Sequence, residues 1–142
     1  MSLFDSLSVS ATGMAAQRTR AELLVENLAN ADTTRTPEGG PYRRKDAIFS
    51  TAEVTSPFAS MFQSELGTGV AVSEIQVDQR EPDKRYMPGH PDADKEGYVL
   101  VPRMNPAEDM VDLITASRGY QANITAMTAV KDMIQRSIDL LR

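Results

Sequence analysis

The sequence contains no cysteine, no tryptophan and a single histidine. Without cysteine there can be no disulfide and no thiolate metal site. The absence of cysteine does not indicate whether the protein works in an oxidising or a reducing compartment. The histidine, His90, lies between Gly89 and Pro91 in a predicted loop, and a lone loop histidine cannot by itself form a Ser-His-Asp site. These absences argue against a catalytic centre or a transition-metal site, and we expect no cofactor.

Long apolar runs and a basic stripe are also missing. No stretch approaches the roughly 18 uninterrupted apolar residues of a membrane-spanning helix, and Met1–Asp5 lacks the basic and apolar regions of a cleaved signal peptide. The formal net charge is -5, which argues against nucleic acid as a partner because phosphates attract cations. The densest basic cluster, Arg43–Lys45, is interpreted as a solvated strand end. We expect neither nucleic-acid binding nor direct membrane insertion.

One segment imitates a calcium-binding loop. The residues Asp92–Gly97 begin like an EF-hand, but the twelfth position, which requires a bidentate Glu, is Arg103. The residues that follow, Tyr98–Val101, have the pattern of a strand instead of a helix. We interpret the segment as a turn rich in Asp and Gly and predict no metal site there.

An apolar repeat marks the C-terminal part of the chain. An apolar residue occurs at every seventh position. We call this set the first row, and it consists of Leu113, Tyr120, Met127, Ile134 and Leu141. A second row lies three residues earlier and consists of Met110, Ser117, Ile124, Lys131 and Ile138. This heptad pattern is typical of a helix that packs lengthwise against other helices. The two polar members of the second row can either set the register of the contact or lie at its edge.

The start of this helix carries the clearest local signal. Asn105 suits the N-cap, Pro106 the first helical position, and Glu108 the position from which a side chain reaches back to the cap. Asp109 places negative charge at the positive end of the helix dipole. A helix from here to the C-terminus would be about 55 Å long, so part of its apolar surface is expected to contact other subunits. Gly119 inside it is either a tolerated glycine or a point where another backbone approaches closely.

The N-terminal segment predicts a second long helix, from Leu3 to Ala29. Apolar residues recur in it with the same seven-residue spacing, at Leu7, Met14, Ala21 and Leu28. Gln17 and Arg18 interrupt the apolar face, and Gly13 alone costs roughly 1 kcal/mol relative to Ala. Such a helix is marginal on its own and needs packing to form.

The middle of the chain is predicted to be β-rich. Strands are predicted at Tyr42–Ser50, Val70–Val77 and Tyr98–Val101. The alternation slips near Glu74, which indicates a bulge or a bend. Residues 59–66 form a loose amphipathic piece, and residues 80–97 a long loop or hairpin connection.

These elements predict an α+β fold. Long N- and C-terminal helices pair as a coiled-coil-like layer, and a small β-rich domain is inserted between them. The predicted helical domain comprises residues 1–34 and 104–142, and the β-rich domain residues 35–103.

Two motifs resemble a known family. Residues 27–33, Asn-Leu-Ala-Asn-Ala-Asp-Thr, resemble the motif that closes the N-terminal helix of the axial proteins of the bacterial flagellum. Residues 116–123, Ala-Ser-Arg-Gly-Tyr-Gln-Ala-Asn, resemble the signature of their C-terminal helix. Residues 33–45 and 88–99, with the short length, make the chain similar to the flagellar basal-body rod proteins of the proximal rod. One departure is the run 102–105, where many relatives have Pro-Asn directly after the last strand.

The resemblance implies a structural subunit and no enzyme. Such subunits assemble with one another and with other rod proteins into a hollow helical drive shaft that transmits torque, with the terminal helices as the inner tube and the β-rich domain outside. The implied partners are copies of itself, other rod proteins, the rod adapter at the export gate and membrane ring, and the flagellar type III export apparatus. The implied location is the periplasmic rod, reached from the cytoplasm without a cleaved signal peptide.

The candidate assembly interface lies on the two terminal helices and at their motifs. It consists of Leu7, Met14, Leu24, Asn27, Leu28, Asn30, Met110, Leu113, Arg118, Tyr120, Asn123, Ile124, Met127, Ile134, Ile138 and Leu141. Segments that are marginal alone become ordered by burying such surfaces between subunits, and a contact that does not close on itself generates a filament. The alternative is a soluble coiled-coil adaptor or export chaperone of the flagellar system, for which a closed dimer is expected; a monomeric enzyme ranks last.

Overall fold

The computed structural model describes residues 3–51 and 69–140. The predicted amphipathic piece at 59–66 and the last first-row residue, Leu141, lie outside these ranges. Two helices, α1 (Leu3–Ala29) and α2 (Pro106–Asp139), flank a small β region and pack against each other. The α+β fold and both helices are therefore confirmed. Within the described ranges, no helix combines the length and the apolar character needed to cross a membrane.

The N-terminus of α2 is capped as predicted. The Asn105 side chain accepts a hydrogen bond from the backbone N–H of Ala107, at 3.2 Å. Its amide nitrogen donates to Glu108 Oε1 at 3.1 Å. Glu108 thus reaches the side chain of the cap, and the two residues fix the point where α2 begins.

The first two strands form an antiparallel pair. Strand β1 (Lys45–Thr51) pairs with β2 (Val70–Val77), and their register shifts between Ile48 and Phe49. Ile48 pairs with Glu74 and Phe49 with Val72, so Ser73 is the extra residue on β2. The predicted bulge is confirmed, and Ser73 Oγ donates to the Ile48 carbonyl across it.

The predicted start of β1 at Tyr42 is wrong by three residues. β1 begins only at Lys45, because the backbone N–H of Tyr42 donates to the Thr33 carbonyl and not to β2. A polar–apolar pattern cannot separate a strand from an extended segment that leads into one.

A second antiparallel pair contains a strand that the sequence pattern missed. β3 (Asp83–Tyr86) pairs with β4 (Tyr98–Val101), although residues 80–97 were predicted as a loop or hairpin connection. All four residues of β3 are exposed, so it lacks the apolar alternation that identifies a strand. Between the two strands, Asp94 Oδ1 accepts from the backbone N–H groups of Glu96 and Tyr98, which accounts for the Asp-rich turn.

The core is small and lies between the helices and the strands. Val99 is 1% exposed and is its largest fully buried apolar side chain. The other buried apolar residues are Ala16, Leu23, Leu24, Tyr42, Val101, Ala116 and Val130. α1 contacts α2 and also both strands of the first sheet, whereas the strands of the second sheet contact each other and neither helix to a comparable extent.

Candidate assembly interface

The two helices run antiparallel and meet closely at two glycines. A Cβ added at Gly13 would lie 3.2 Å from the Asn123 side chain, and one added at Gly119 would lie 3.3 Å from the Gln17 side chain. Each helix therefore places an amide side chain against a glycine of the other. Gly119 does permit a close approach, but a side chain approaches it and not a backbone. Gln17, predicted as an interruption of the apolar face, is part of the contact.

The residues of α2 that pack on α1 each lie four positions before a member of the first row. Asp109 and Ala116 are each 1% exposed, Val130 is 8% exposed and Asn123 is half-buried. The described members of the first row lie at the edge of this contact. The second row follows the buried residues by one position each, which rotates it about 100° around the helix. Its members point to one side of the helical pair and are not covered by α1.

The predicted interface residues consequently fall into three environments. Leu24 and Asn27 are buried within the chain. The half-buried residues are Leu7, Met14, Leu28, Asn30, Leu113, Asn123, Met127 and Ile134. The exposed residues are Met110, Arg118, Tyr120, Ile124 and Ile138. The structure brings the first two sets into contacts inside the chain and leaves the third on the surface of α2.

The second row gives α2 an exposed apolar face. Met110, Ile124 and Ile138 are 57%, 44% and 54% exposed, and the adjacent Val111 and Ile114 are 63% and 53% exposed. Aliphatic side chains repeated on one face over most of a helix are unusual on the surface of a protein that acts alone. This face is available to a partner.

A groove runs beside it, between the two helices. It has a volume of about 500 Å³ and is lined by Gln17, Arg18, Ala21, Leu113, Ala116, Ser117 and Tyr120. Gln17 Oε1 is buried there without a hydrogen-bond partner among the described residues. The groove contains Leu113 and Tyr120 of the first row and Ser117 of the second, so the two predicted rows adjoin there.

At the other end of α1, Asn27 ties the β region to the helix. Its Oδ1 accepts from the Lys45 backbone N–H and from the Tyr42 hydroxyl, each at 3.0 Å, and its Nδ2 donates to the Lys45 carbonyl at 2.9 Å. Asn27 is 0% exposed and takes the place of a neighbouring strand beside β1. Burial, with Glu26 and Asp109 nearby, raises the pKa of the Tyr42 phenol to about 12.

Arg44 ties the same segment to α2. Its Nη2 lies 2.9 Å from Asp109 Oδ1 and 3.3 Å from Asp46, and Asp112 is 3.9 Å away and is shared with Arg20 of α1 at 3.6 Å. Asp109 Oδ2 is buried without a hydrogen-bond partner in the described chain. Burial raises the pKa of Asp109, Arg44 opposes that shift, and the neighbouring carboxylates Asp46 and Asp112 add to it. We call residues 42–45, with Asn27 and Asp109, the junction.

The junction was missed by reasoning from the sequence. The interpretation of Arg43–Lys45 as a solvated strand end is wrong for Arg44 and Lys45, whose side chains are 24% and 34% exposed and bind the helices. Asp109 does lie in the first turn of α2, yet it is buried. One signal was available: Asp109 precedes Ala116 by seven residues, in the row that proved to be buried.

The described residues contain no group of three or more His, Cys, Asp or Glu side chains placed to hold a metal ion. Three features of the described residues are surfaces for packing: the exposed second row, the groove and the junction.

Comparison with known proteins gives consistent matches. The family described as flagellar basal body rod FlgEFG protein C-terminal matches residues 96–140, which include α2. The flagellar basal-body rod protein FlgC of Borreliella burgdorferi is 40% identical over 152 residues, covering 100% of this chain and 99% of the relative. The protein of that name from Bacillus subtilis is 41% identical over 150 residues, covering 99% of each chain. The one from Escherichia coli O157:H7 is 35% identical over 141 residues, covering 99% of this chain and 98% of the relative.

Proposed function

This chain belongs to the FlgC family of flagellar basal-body rod proteins, and from that membership we propose that it is a structural subunit of the rod. It assembles with copies of itself and with other rod proteins into a hollow helical shaft that carries torque. It performs no catalysis in this role, because resistance to torsion comes from many repeated helix–helix contacts.

The observation that carries the proposal is the exposed second row of α2. Met110, Ile124 and Ile138 remain exposed although α1 already packs along the same helix. Covering such side chains removes apolar surface from water and stabilises an assembly by about 25 cal/mol per Å² buried. A subunit with one satisfied face and one unsatisfied face along its longest element gains stability by adding neighbours.

We assign the two predicted domains accordingly. Residues 1–34 and 104–142 form the part that lines the shaft, and residues 35–103 form the outer part. The exposed face of α2 and the groove beside it belong to the first of these, and the junction connects it to the second. The candidate interface residues on α2 contact other subunits, while Leu24 and Asn27 act within the chain.

The finer points of location and partnership follow from the same proposal. The protein acts in the periplasm, arrives through the flagellar type III export apparatus without a cleaved signal peptide, and meets the rod adapter at one end of the rod. The alternative, a coiled-coil adaptor or export chaperone, would use the same face of α2 in a closed dimer.

Replacing Ile124 by Asp tests the proposal. A charge at this exposed position does not disturb the packing of α1 on α2, so the free subunit should keep its melting temperature. Placed in a buried subunit contact, the same charge should abolish rod assembly and swimming. The measurements are the motility of cells carrying the variant and counts of rods by electron microscopy.

Ala122→Asp is the matched control, because Ala122 is exposed two residues away and therefore on nearly the opposite side of α2. It should assemble far better than Ile124→Asp. Normal swimming by Ile124→Asp cells would contradict the proposal. A stable closed dimer of the purified protein, with the second row buried in it, would favour the adaptor.

A further inference from the structure

The outward side of α1 differs sharply from that of α2. Its exposed residues alternate at three- and four-residue spacing, and we call them the outer stripe: Ser8, Ala11, Ala15, Arg18, Glu22, Val25 and Ala29. Ala15 lies midway between Gly13 and Gln17, which contact α2, so it is turned about 200° away from that contact. Arg18, at the edge of the stripe, also lines the groove between the helices. Apart from Arg18 and Glu22, its side chains are small or, at Val25, short.

The two surfaces are complementary in size and in period. The second row of α2 presents large aliphatic side chains every fourteen residues, at Met110, Ile124 and Ile138, with Ser117 and Lys131 between them. The outer stripe has positions with the same seven-residue period, and most of them carry small side chains. Large side chains on one helix pack well where the facing helix has small ones, because the two backbones can then come close. In one chain these surfaces cannot meet, since they lie on different helices and face away from each other.

We propose that the second row of one copy packs on the outer stripe of α1 in the next copy, with Lys131 opposite Glu22. This inference rests on the proposed assembly role and names its partner, a second copy of this chain. Copies that stand side by side in the same orientation bring α1 of one against α2 of the next in antiparallel directions, as within the chain.

Charge selects the register among those that the seven-residue period allows. Sliding the helices by heptads places Glu22 opposite Met110, Ser117, Ile124, Lys131 or Ile138. Three of these put a carboxylate against an aliphatic side chain, and one puts it against a serine. Only Lys131 offers an opposite charge, and it has no ion pair among the described residues. Glu22 is paired with Arg18 of its own helix at 2.9 Å, but both side chains are exposed, so Glu22 can also meet a lysine of a neighbour. In that register Ala15 faces Ile138 and Ala29 faces Ile124, so these two aliphatic residues meet alanines, while Met110 lies beyond the end of α1.

The geometry also explains why the contact repeats without closing on a pair. It joins two different surfaces, so each copy keeps one of each free for a further copy. The two contact faces of α2 are about 100° apart, whereas those of α1 are nearly opposite. A row of copies therefore curves, as the wall of a tube requires.

Cysteine pairs test this contact directly, because the chain has no native cysteine. Ala29→Cys with Ile124→Cys should give a ladder of cross-linked chains when cells with assembled rods are oxidised. Within one chain, the opposition of Gly13 with Asn123 places Ala29 near residue 107, about 25 Å along the axis from Ile124. A disulfide requires Cα atoms within about 7 Å, so the cross-link can form only between chains.

The matched control is Ala29→Cys with Ala122→Cys, which moves one thiol to the far side of α2. A ladder in the first pair and none in the control supports the proposal. An equal ladder in both pairs, or none in the first pair from cells that swim, overturns it. A ladder from Ala29→Cys with Met110→Cys instead would show the serine register and would also overturn it.

Charge exchange tests the register independently. Lys131→Glu and Glu22→Lys each place like charges opposite each other, and each should reduce the number of rods roughly tenfold. The double variant restores the pair in reverse and should bring the count back to within about twofold of the parent. Both residues are exposed in the free subunit. Glu22→Lys also removes the pair with Arg18, which contributes little because both side chains are exposed. The melting temperature should therefore change little, and the main effect is read in assembly.

The two proposals fail in different ways. If the single charge variants assemble normally, or the double variant is no better than either, the contact between Glu22 and Lys131 is wrong. If Ile124→Asp nevertheless abolishes assembly, the rod role stands and the second row binds another partner. If Ile124→Asp cells also swim normally, both proposals fall.

Discussion

The contact between α1 and α2 and the junction to the β region depend on different kinds of interaction. The helices meet through small side chains: Gly13 and Gly119 each receive an amide of the other helix, and Ala16 and Ala116 are buried. The junction is held by the hydrogen bonds of Asn27 and by the ion pair of Arg44 with Asp109. The first contact depends on size, and the second on direction and charge.

This difference separates two tasks within one subunit. Packing of small residues brings two helices close and is satisfied over a range of small shifts, provided that nothing large intrudes. Buried hydrogen bonds have narrow geometry, and leaving a donor or acceptor unpaired is costly. The junction therefore fixes where the β region stands on the helices, while the helical pair leaves one face of α2 open for neighbours.

Replacing Asn27 by Ala is expected to have the largest effect. It removes three hydrogen bonds and leaves the Lys45 N–H, the Lys45 carbonyl and the Tyr42 hydroxyl without their partner in a buried place. We expect a loss of about 3 kcal/mol or more in the free energy of unfolding, measured by chemical denaturation of the purified subunit.

Asn30→Ala is the control, because Asn30 is half-buried and its side chain makes only local hydrogen bonds: Nδ2 donates to the Glu26 carbonyl and Oδ1 accepts from the Thr33 hydroxyl. It should cost at most about 1 kcal/mol. If the two variants unfold at the same denaturant concentration, the junction does not have the role described.

Enlarging Gly119 tests the helical pair and should have an intermediate effect. Gly119→Leu pushes a side chain into the space held by Gln17 and should cost about 1–3 kcal/mol by overpacking. Gly119→Ala meets Gln17 at 3.3 Å; it gains helix propensity of about 1 kcal/mol, which offsets the displacement, so it should be close to neutral. Thermal unfolding of the free subunit measures both.

The comparison variant is Ala122→Leu, on an exposed position of the same helix. It should leave the melting temperature unchanged. A neutral Gly119→Leu would mean that α1 is not held against α2 at this point in the free subunit.

The titration of Asp109 should have the smallest effect on the free energy of unfolding. Its sign is opposite to that of most carboxylates, because its pKa is raised on folding. Its pKa in the folded state is raised above the ordinary value of 3.8, chiefly by burial. Between the unfolded and folded pKa values the folded state holds the extra proton, so its contribution to stability falls as the pH rises through that window. Asp109→Asn removes this component, and the difference between the two pH profiles of the free energy of unfolding isolates it.

Asp78 supplies the opposite case. Its hydrogen bonds with Arg80 lower its pKa to about 2, so its contribution to stability is present above the ordinary value of 3.8 and is lost as the pH falls toward 2. Asp78→Asn should therefore alter only the acid end of the profile. A profile for Asp109→Asn that runs parallel to the parent at all pH values would show that Asp109 titrates normally.

Much of the fold was predictable because its signals are local. The signals for the bounds of α1, the Asn105 cap and the bulge at Ser73, beside Glu74, each lie in residues close together in sequence. β3 was missed because its four residues are exposed and polar, and its existence depends on pairing with β4. The predicted assembly residues stay a prediction, although the structure shows which of them are exposed.

The junction could not be predicted from patterns. Asn27 bonds to Lys45, and Arg44 to Asp109, across separations of 18 and 65 residues. A basic residue before a strand and an acidic residue at a helix start are each explained by simpler local roles. Only their positions in space reveal that they meet.

The sequence by itself determined the helices, most of the strands and the family resemblance, because heptad spacing, caps and motifs act over a few residues. The tertiary structure decided which row of α2 is covered. Rows one residue apart differ by about 100° around the helix, and both contain residues that tolerate burial. The choice depends on where α1 fits most closely, at Gly13 and Gly119, and that fit leaves the more apolar row outside.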